Sequence, residues 1–177
     1  MIKNILVAMD GSAHAKKAVA TAAEIAAACR AKLTVIQVLL RDARSDELRA
    51  ITTKKALSKE MRHLLDTYEV DMELAIAGVG YESIPTAIPA PKELLTAIGA
   101  QLLEVAGRIA AKQGVKQVST ALIGGEPADA ILQAAHDLKA DLIVLGTRGL
   151  SDFKGLLVGS VSHKVASRAE CAVMTVK

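Results

Sequence analysis

Aromatic residues are nearly absent: the chain has no tryptophan, one phenylalanine and two tyrosines in 177 residues. That scarcity argues against a site that stacks successive bases on aromatic rings, as single-strand binders do. Only two cysteines occur, Cys29 and Cys171, with no Cys-x-x-Cys pair and no neighbouring histidine cluster. Neither a zinc module nor a disulfide framework follows from such spacing, and both cysteines read as small buried hydrophobes in a reducing compartment. No apolar run approaches the roughly 18 residues of a membrane span, so no spanning helix is expected. The N-terminus lacks a basic region followed by an apolar stretch and cleavage site, because Asp10 interrupts its apolar run. A soluble, cytoplasmic protein is the expectation. The common P-loop pattern, Gly-x-x-x-x-Gly-Lys-Ser/Thr, is missing as well.

Apolar residues are plentiful, at 51 %. The core is therefore built from Ala, Val, Leu and Ile, which suits closely packed helices over a sheet of branched aliphatics. The length fits a single domain, by a prior of about 150 residues for each. Net charge is +3, and its layout matters more than its size. Residues 41–63 hold seven Lys/Arg against four Asp/Glu, whereas residues 66–82 hold five acidic residues and no basic one. Such adjacent blocks pair internally or with a second copy. They do not form a continuous phosphate-tracking groove, so nucleic-acid binding is not expected.

Strand and helix signals alternate. Residues 2–9 read as a strand, and Ser12 is suited to cap a helix over residues 13–31. A second strand is expected over 33–40, a helix over 91–114 and a third strand over 115–123. Pro127, at a first helical position, opens a helix through about residue 138. A fourth strand at 141–145, a helix after Gly159 and a fifth strand at 171–176 complete the series. Alternation of this kind predicts an α/β fold with one open, five-stranded parallel sheet covered on both faces. Residues 41–90 stand apart as a helical insert after strand two. Leu48, Ile51, Leu57, Met61, Leu64, Leu65 and Tyr68 make an apolar stripe at helical spacing, followed by a Pro- and Gly-rich connection over 78–91. Its expected use is a surface helix on its own domain, a dimer contact or a lid.

The most informative pattern lies near the C-terminus. Gly146-Thr147-Arg148-Gly149 is followed, after nine residues, by Gly159-Ser160. A buried strand ending at Gly146 and a helix opening at Gly159 bracket a glycine-rich loop. Backbone N–H groups at a helix start lack intrahelical acceptors and carry the positive end of the helix dipole. Glycines let an anion approach the backbone, and the Ser160 hydroxyl is able to donate to a phosphoryl oxygen. Equally, the glycines could simply turn the chain and Ser160 cap a helix.

The spacing Gly-x2-Gly-x9-Gly-Ser resembles the signature of the ATP-binding subgroup of the universal stress protein (UspA-like) family. Met1 to Ser12 looks like that family's opening strand and Asp-Gly-Ser turn. Gly125-Glu126-Pro127 resembles the start of its third helix, Ala140 to Gly146 its fourth strand, and Cys171 to Val176 its closing strand. The resemblance implies one universal stress protein domain over residues 1–177, with a variable insert at about 41–90. It implies an adenine nucleotide alpha-hydrolase-like sheet of order 3-2-1-4-5. That order would bring Asp10, at the end of strand one, beside Gly146 at a topological switch point. The implied ligand is ATP, or ADP or AMP, with Mg or Mn accompanying the phosphates. Asp10 would bind the ribose and the Val38 main chain the adenine. Gly146, Thr147, Arg148, Gly149, Gly159, Ser160 and Val161 would surround the phosphates. A homodimer through the last strand is implied too, although Thr175 and Lys177 make that edge less apolar.

Other polar residues carry weaker signals. Lys154 and the Lys16-Lys17 pair read as solvated charge, and His163 as a helix surface residue. His14 and His136 lack partners at catalytic spacing. Phosphoryl transfer needs a positioned nucleophile, a metal and charge stabilisation. Near the loop only Asp152 could serve as a base, and the related Ser-Gly-Gly-x-Asp-Ser phosphate loop is absent. The sequence therefore favours nucleotide binding with a regulatory stress-response role. Slow Mg-dependent ATP hydrolysis, or an interaction protein that binds no nucleotide, are the alternatives.

Overall fold

The computed structural model describes residues 1–39, 59, 62–68, 90–115, 118–150 and 159–177. Within them run β1 (Asn4–Ala8), α1 (Ala13–Cys29), β2 (Lys32–Val38), α2 (Lys92–Lys112) and β3 (Val118–Ile123). Then come α3 (Pro127–Asp137), β4 (Leu142–Gly146), α4 (Ser160–Arg168) and β5 (Ala172–Val176). Every pairing is parallel, and the order is β3-β2-β1-β4-β5. The expected open sheet and its strand order are thus present.

Burial follows strand position. β4 is buried from Leu142 to Leu145 and β1 from Ile5 to Val7, so these central strands read as unbroken apolar runs. Side chains alternate between faces. Leu6, Ile36, Val38, Ile143 and Leu145 share one face with Ala128, Ile131 and Ala135 of α3 and Val165 of α4. α1 packs against β1, β4 and β2. It buries Ala15, Ala18, Val19, Ala22, Ala23 and Ala26, small side chains that let the helix approach closely.

Helix ends have local causes. Ser12 caps α1, its hydroxyl accepting the Ala15 N–H at 3.1 Å, and Arg30 ends that helix with left-handed backbone at φ 55°. Glu126 caps α3 by accepting the Asp129 N–H, with Pro127 at the first position. Cys29 corrects the sequence expectation. It is exposed, because it follows the buried alanine stripe at the very end of α1. Cys171 is half-buried, and burial pushes its thiol pKa up.

The chain divides into two compact units, residues 1–39 with 102–177, and residues 40–101. In the second, residues 62–68 are helical, with Leu65 and Tyr68 buried and Leu64 half-buried. Leu48, Ile51, Leu57 and Met61 of the expected stripe, and most of the 78–91 connection, lie outside the described residues. Among the described helices, α2 alone is long and apolar enough to cross a membrane, with mean hydropathy 1.4, and half of that stretch is buried. Such burial fits a core helix.

One carboxylate ties the starts of β1 and β4. Asp141 accepts N–H bonds from Lys3 at 2.7 Å and Asn4 at 2.9 Å, and these bonds hold its pKa below the ordinary value. A depressed folded pKa means the unfolded chain binds the proton more readily. The contribution is present above the unfolded value of about 3.9 and is lost as pH falls through the lower folded value. Asp141→Asn should therefore lower stability at neutral pH and flatten the acid-unfolding profile below about pH 4. Urea unfolding of both proteins across that range checks it; parallel profiles would refute the assignment.

Candidate functional site

β1 ends in a tight Asp-Gly-Ser turn. The Asp10 Oδ1 accepts the Ser12 N–H at 2.9 Å, and Gly11 between them has φ 91°, which a side chain rarely tolerates. The turn leads directly into α1, so that helix begins at the carboxyl end of the sheet.

β4 ends against the same helix. A Cβ on Gly146 would stand 2.9 Å from the Ala15 backbone nitrogen and 2.9 Å from the His14 Cβ. Glycine is required here by the close approach of α1. Thr147 then leaves the sheet, 4 % exposed, with each polar group engaged. Its N–H donates to the Val176 carbonyl at 2.8 Å, and its own carbonyl accepts the Gly159 N–H at 2.7 Å. The Ser162 hydroxyl also donates to that carbonyl, at 3.1 Å. Its Oγ1 lies 3.1 Å from His14 Nδ1. The Gly159–Thr147 bond joins the two halves of the glycine motif, which the sequence separates by nine residues.

α4 opens at Gly159 with no side-chain cap. Ser160 is its exposed first residue, and Gly159 supplies the carbonyl for the His163 N–H. A Cβ on Gly159 would meet the Thr147 carbonyl oxygen at 3.2 Å. Val161 packs its side chain onto the core below. Arg148 is half-buried in the loop, its carbonyl 3.4 Å from the Ser12 hydroxyl. Gly149 faces the end of β1: a Cβ there would come within 2.9 Å of the Asp10 Oδ2. Asp10 and the glycine loop, remote in sequence, are thus adjacent at the switch point between β1 and β4.

Val38 is 8 % exposed and its side chain belongs to the core. The Ile36 carbonyl accepts the Met9 N–H from β1. Carbonyls two residues apart on a strand point the same way, so that of Val38 points past the end of β1. There it accepts the Gln37 Nε2 at 2.7 Å, while the buried Gln37 Oε1 has no partner among the described residues. Sequence reasoning misses Gln37, because a polar residue within an apolar strand gives no sign of its surroundings.

His14 and Ser162 also carry more than the sequence indicates. His14 lacks a sequence neighbour of suitable spacing, yet topology places it against Thr147. A serine at the third position of α4 is the available signal for Ser162. His163 and His136 are exposed, as are Lys16 and Lys17. Asp152 and Lys154 lie outside the described residues. An open cavity of about 680 Å3 touches Asp129, His136, Lys139, Arg168 and Cys171, at the amino ends of β4 and β5 and away from the glycine loop.

Comparison with known proteins agrees with this architecture. The sequence profile of the universal stress protein family matches residues 1–177. A Thermus aquaticus relative, "universal stress protein in QAH/OAS sulfhydrylase 3'region", is 34 % identical over 179 residues, covering 100 % of both chains. Among solved structures, a universal stress protein in complex with cAMP is similar with a TM-score of 0.61 at 24 % identity, covering 99 % of this chain and 97 % of its own. The universal stress protein from Archaeoglobus fulgidus in complex with dAMP has a TM-score of 0.60 at 21 % identity, with 100 % of both chains covered. At these identities the structural likeness concerns the fold. The full-length profile match and the relative's identity together carry the assignment: this chain belongs to the universal stress protein family.

Proposed function

We propose that the chain binds an adenine nucleotide at the switch point between β1 and β4, and that occupancy changes its state or its partners in a stress response. The observation that carries this reading is the approach of the Asp10 carboxylate to Gly149, 2.9 Å from where a Cβ would stand. A ribose acceptor and a backbone cradle for phosphate then share one crevice. Asp10 accepts the ribose hydroxyls through Oδ2, and the Val38 main chain meets the base. Gly146, Thr147, Arg148, Gly149, Gly159, Ser160 and Val161 surround the phosphates, with the uncapped start of α4 supplying N–H donors. The solved relatives that hold cAMP and dAMP support an adenine-bearing ligand. We take ATP, ADP or AMP as that ligand, with Mg or Mn entering on the phosphates.

Calorimetry with ATP and AMP tests the reading; no heat signal at millimolar ligand would end it. Multiple-turnover phosphate release would identify instead the slow ATPase. Gly159→Val should weaken phosphate binding by crowding the Thr147 carbonyl and the start of α4. An unchanged affinity in that folded variant would reduce the loop to a turn.

The same reading includes one domain over residues 1–177 and a homodimer. β5 is an edge strand with exposed Ala172, Met174 and Thr175, and such an edge invites a second copy. Val173→Asp should then yield a monomer in sedimentation, by placing a charge on the self-complementary patch. A dimer that survives this change but not Leu64→Asp would move the interface to the insert.

A further inference from the structure

Thr147 holds the glycine loop together, yet its side chain is anchored from outside the motif. Its N–H and carbonyl bind β5 and the start of α4, as described, whereas its hydroxyl reaches His14 Nδ1 at 3.1 Å. His14 is the second residue of α1, close behind the Ser12 cap. Ser12 itself reaches the Arg148 carbonyl at 3.4 Å. The first turn of α1 therefore grips two successive loop residues, and the missing side chain of Gly146 lets this turn come close. The bond is possible with either partner donating, since a neutral imidazole presents one acceptor and one donor nitrogen. Thr147 is buried, so an unmet hydroxyl there would leave a desolvated polar group at the hinge of the loop.

We propose that His14 is a positioning residue for the nucleotide phosphates, acting through the Thr147 hydroxyl rather than by touching the ligand. It sets the orientation of Thr147, and Thr147 carries the carbonyl that receives the Gly159 N–H and the Ser162 hydroxyl. Releasing the hydroxyl loosens the spacing between the two glycine segments, and with it the donors arranged for phosphate. The base and ribose contacts lie at β2 and β1 and do not pass through Thr147. The proposal rests on the nucleotide reading above.

The test compares AMP, ATP and adenosine binding by calorimetry in wild type, His14→Leu, His14→Asn and His14→Gln. Asparagine places its amide where the imidazole has Nδ1, and glutamine places it where the ring has Nε2. His14→Leu should weaken ATP and AMP about five- to tenfold while changing adenosine less than about twofold, the size of one lost hydrogen bond. His14→Asn should recover most of that loss, and His14→Gln should not. In a Thr147→Val background, His14→Leu should have no further effect, the mark of two residues acting as a unit. Wild type that fails to bind any of the three ligands overturns the nucleotide reading and this proposal together. Wild type that binds ATP with His14→Leu unchanged overturns the proposal alone. So does rescue by Gln in place of Asn, which would mean direct ligand contact through Nε2. Equal losses for ATP and adenosine would also overturn it, by showing a general structural defect.

Discussion

Gly146→Val should destabilise the folded chain by roughly 2–3 kcal/mol, the cost of forcing atoms into a packed interior. The added Cβ would lie 2.9 Å from the Ala15 nitrogen and 3.0 Å from the His14 carbonyl carbon, both backbone atoms of α1 that cannot rotate away. Either β4 or the first turn of α1 must shift, and the tethers from that turn to Thr147 and Arg148 would shift with it. Gly107 supplies the contrast. It lies within α2, and a Cβ added there would meet nothing within 4 Å, so Gly107→Ala should stabilise by about 0.5–1 kcal/mol through helix propensity. Urea unfolding of the two variants checks the pair. Similar small effects at both positions would show that α1 does not press on the end of β4.

Asp10→Ala should weaken adenine-nucleotide binding roughly 10- to 100-fold, the range for hydrogen bonds to a charged acceptor. Its Oδ1 accepts the Ser12 N–H and so shapes the turn. The other oxygen, Oδ2, faces Gly149 and is the one assigned to the ribose in the proposed reading. Asp10→Asn separates these duties, because an amide oxygen keeps the turn while the charge is gone. A smaller loss is expected for Asn than for Ala, with little change in stability for Asn. Calorimetric affinities, with folding verified by unfolding curves, measure both. Full affinity in a folded Asp10→Ala protein would remove the ribose role and leave Asp10 as a turn former. Gly149→Ala approaches the same contact from the loop side and should push the carboxylate out of place.

Local chemistry determined the elements. Ser12 and Pro127 marked helix starts, because capping and a preset backbone angle act within a few residues. The apolar run at 141–145 and the alternating strand and helix signals identified a covered parallel sheet, since burial on both faces leaves a continuous apolar stretch. The family's motif order then implied the strand order that the sheet adopts. Strand limits moved by a few residues; β3, expected from residue 115, begins at Val118. Tertiary structure decided what no local rule reaches. Whether Cys29 is covered depends on where α1 overhangs the sheet, and it proved exposed. That Gly146 must be glycine follows from the approach of α1, a helix more than a hundred positions away in the chain. The partnership of His14 with Thr147 likewise exists only because β1 and β4 are neighbours. Sequence encodes such contacts only through the topology that creates them, because hydrogen bonds and steric limits act on distances in space.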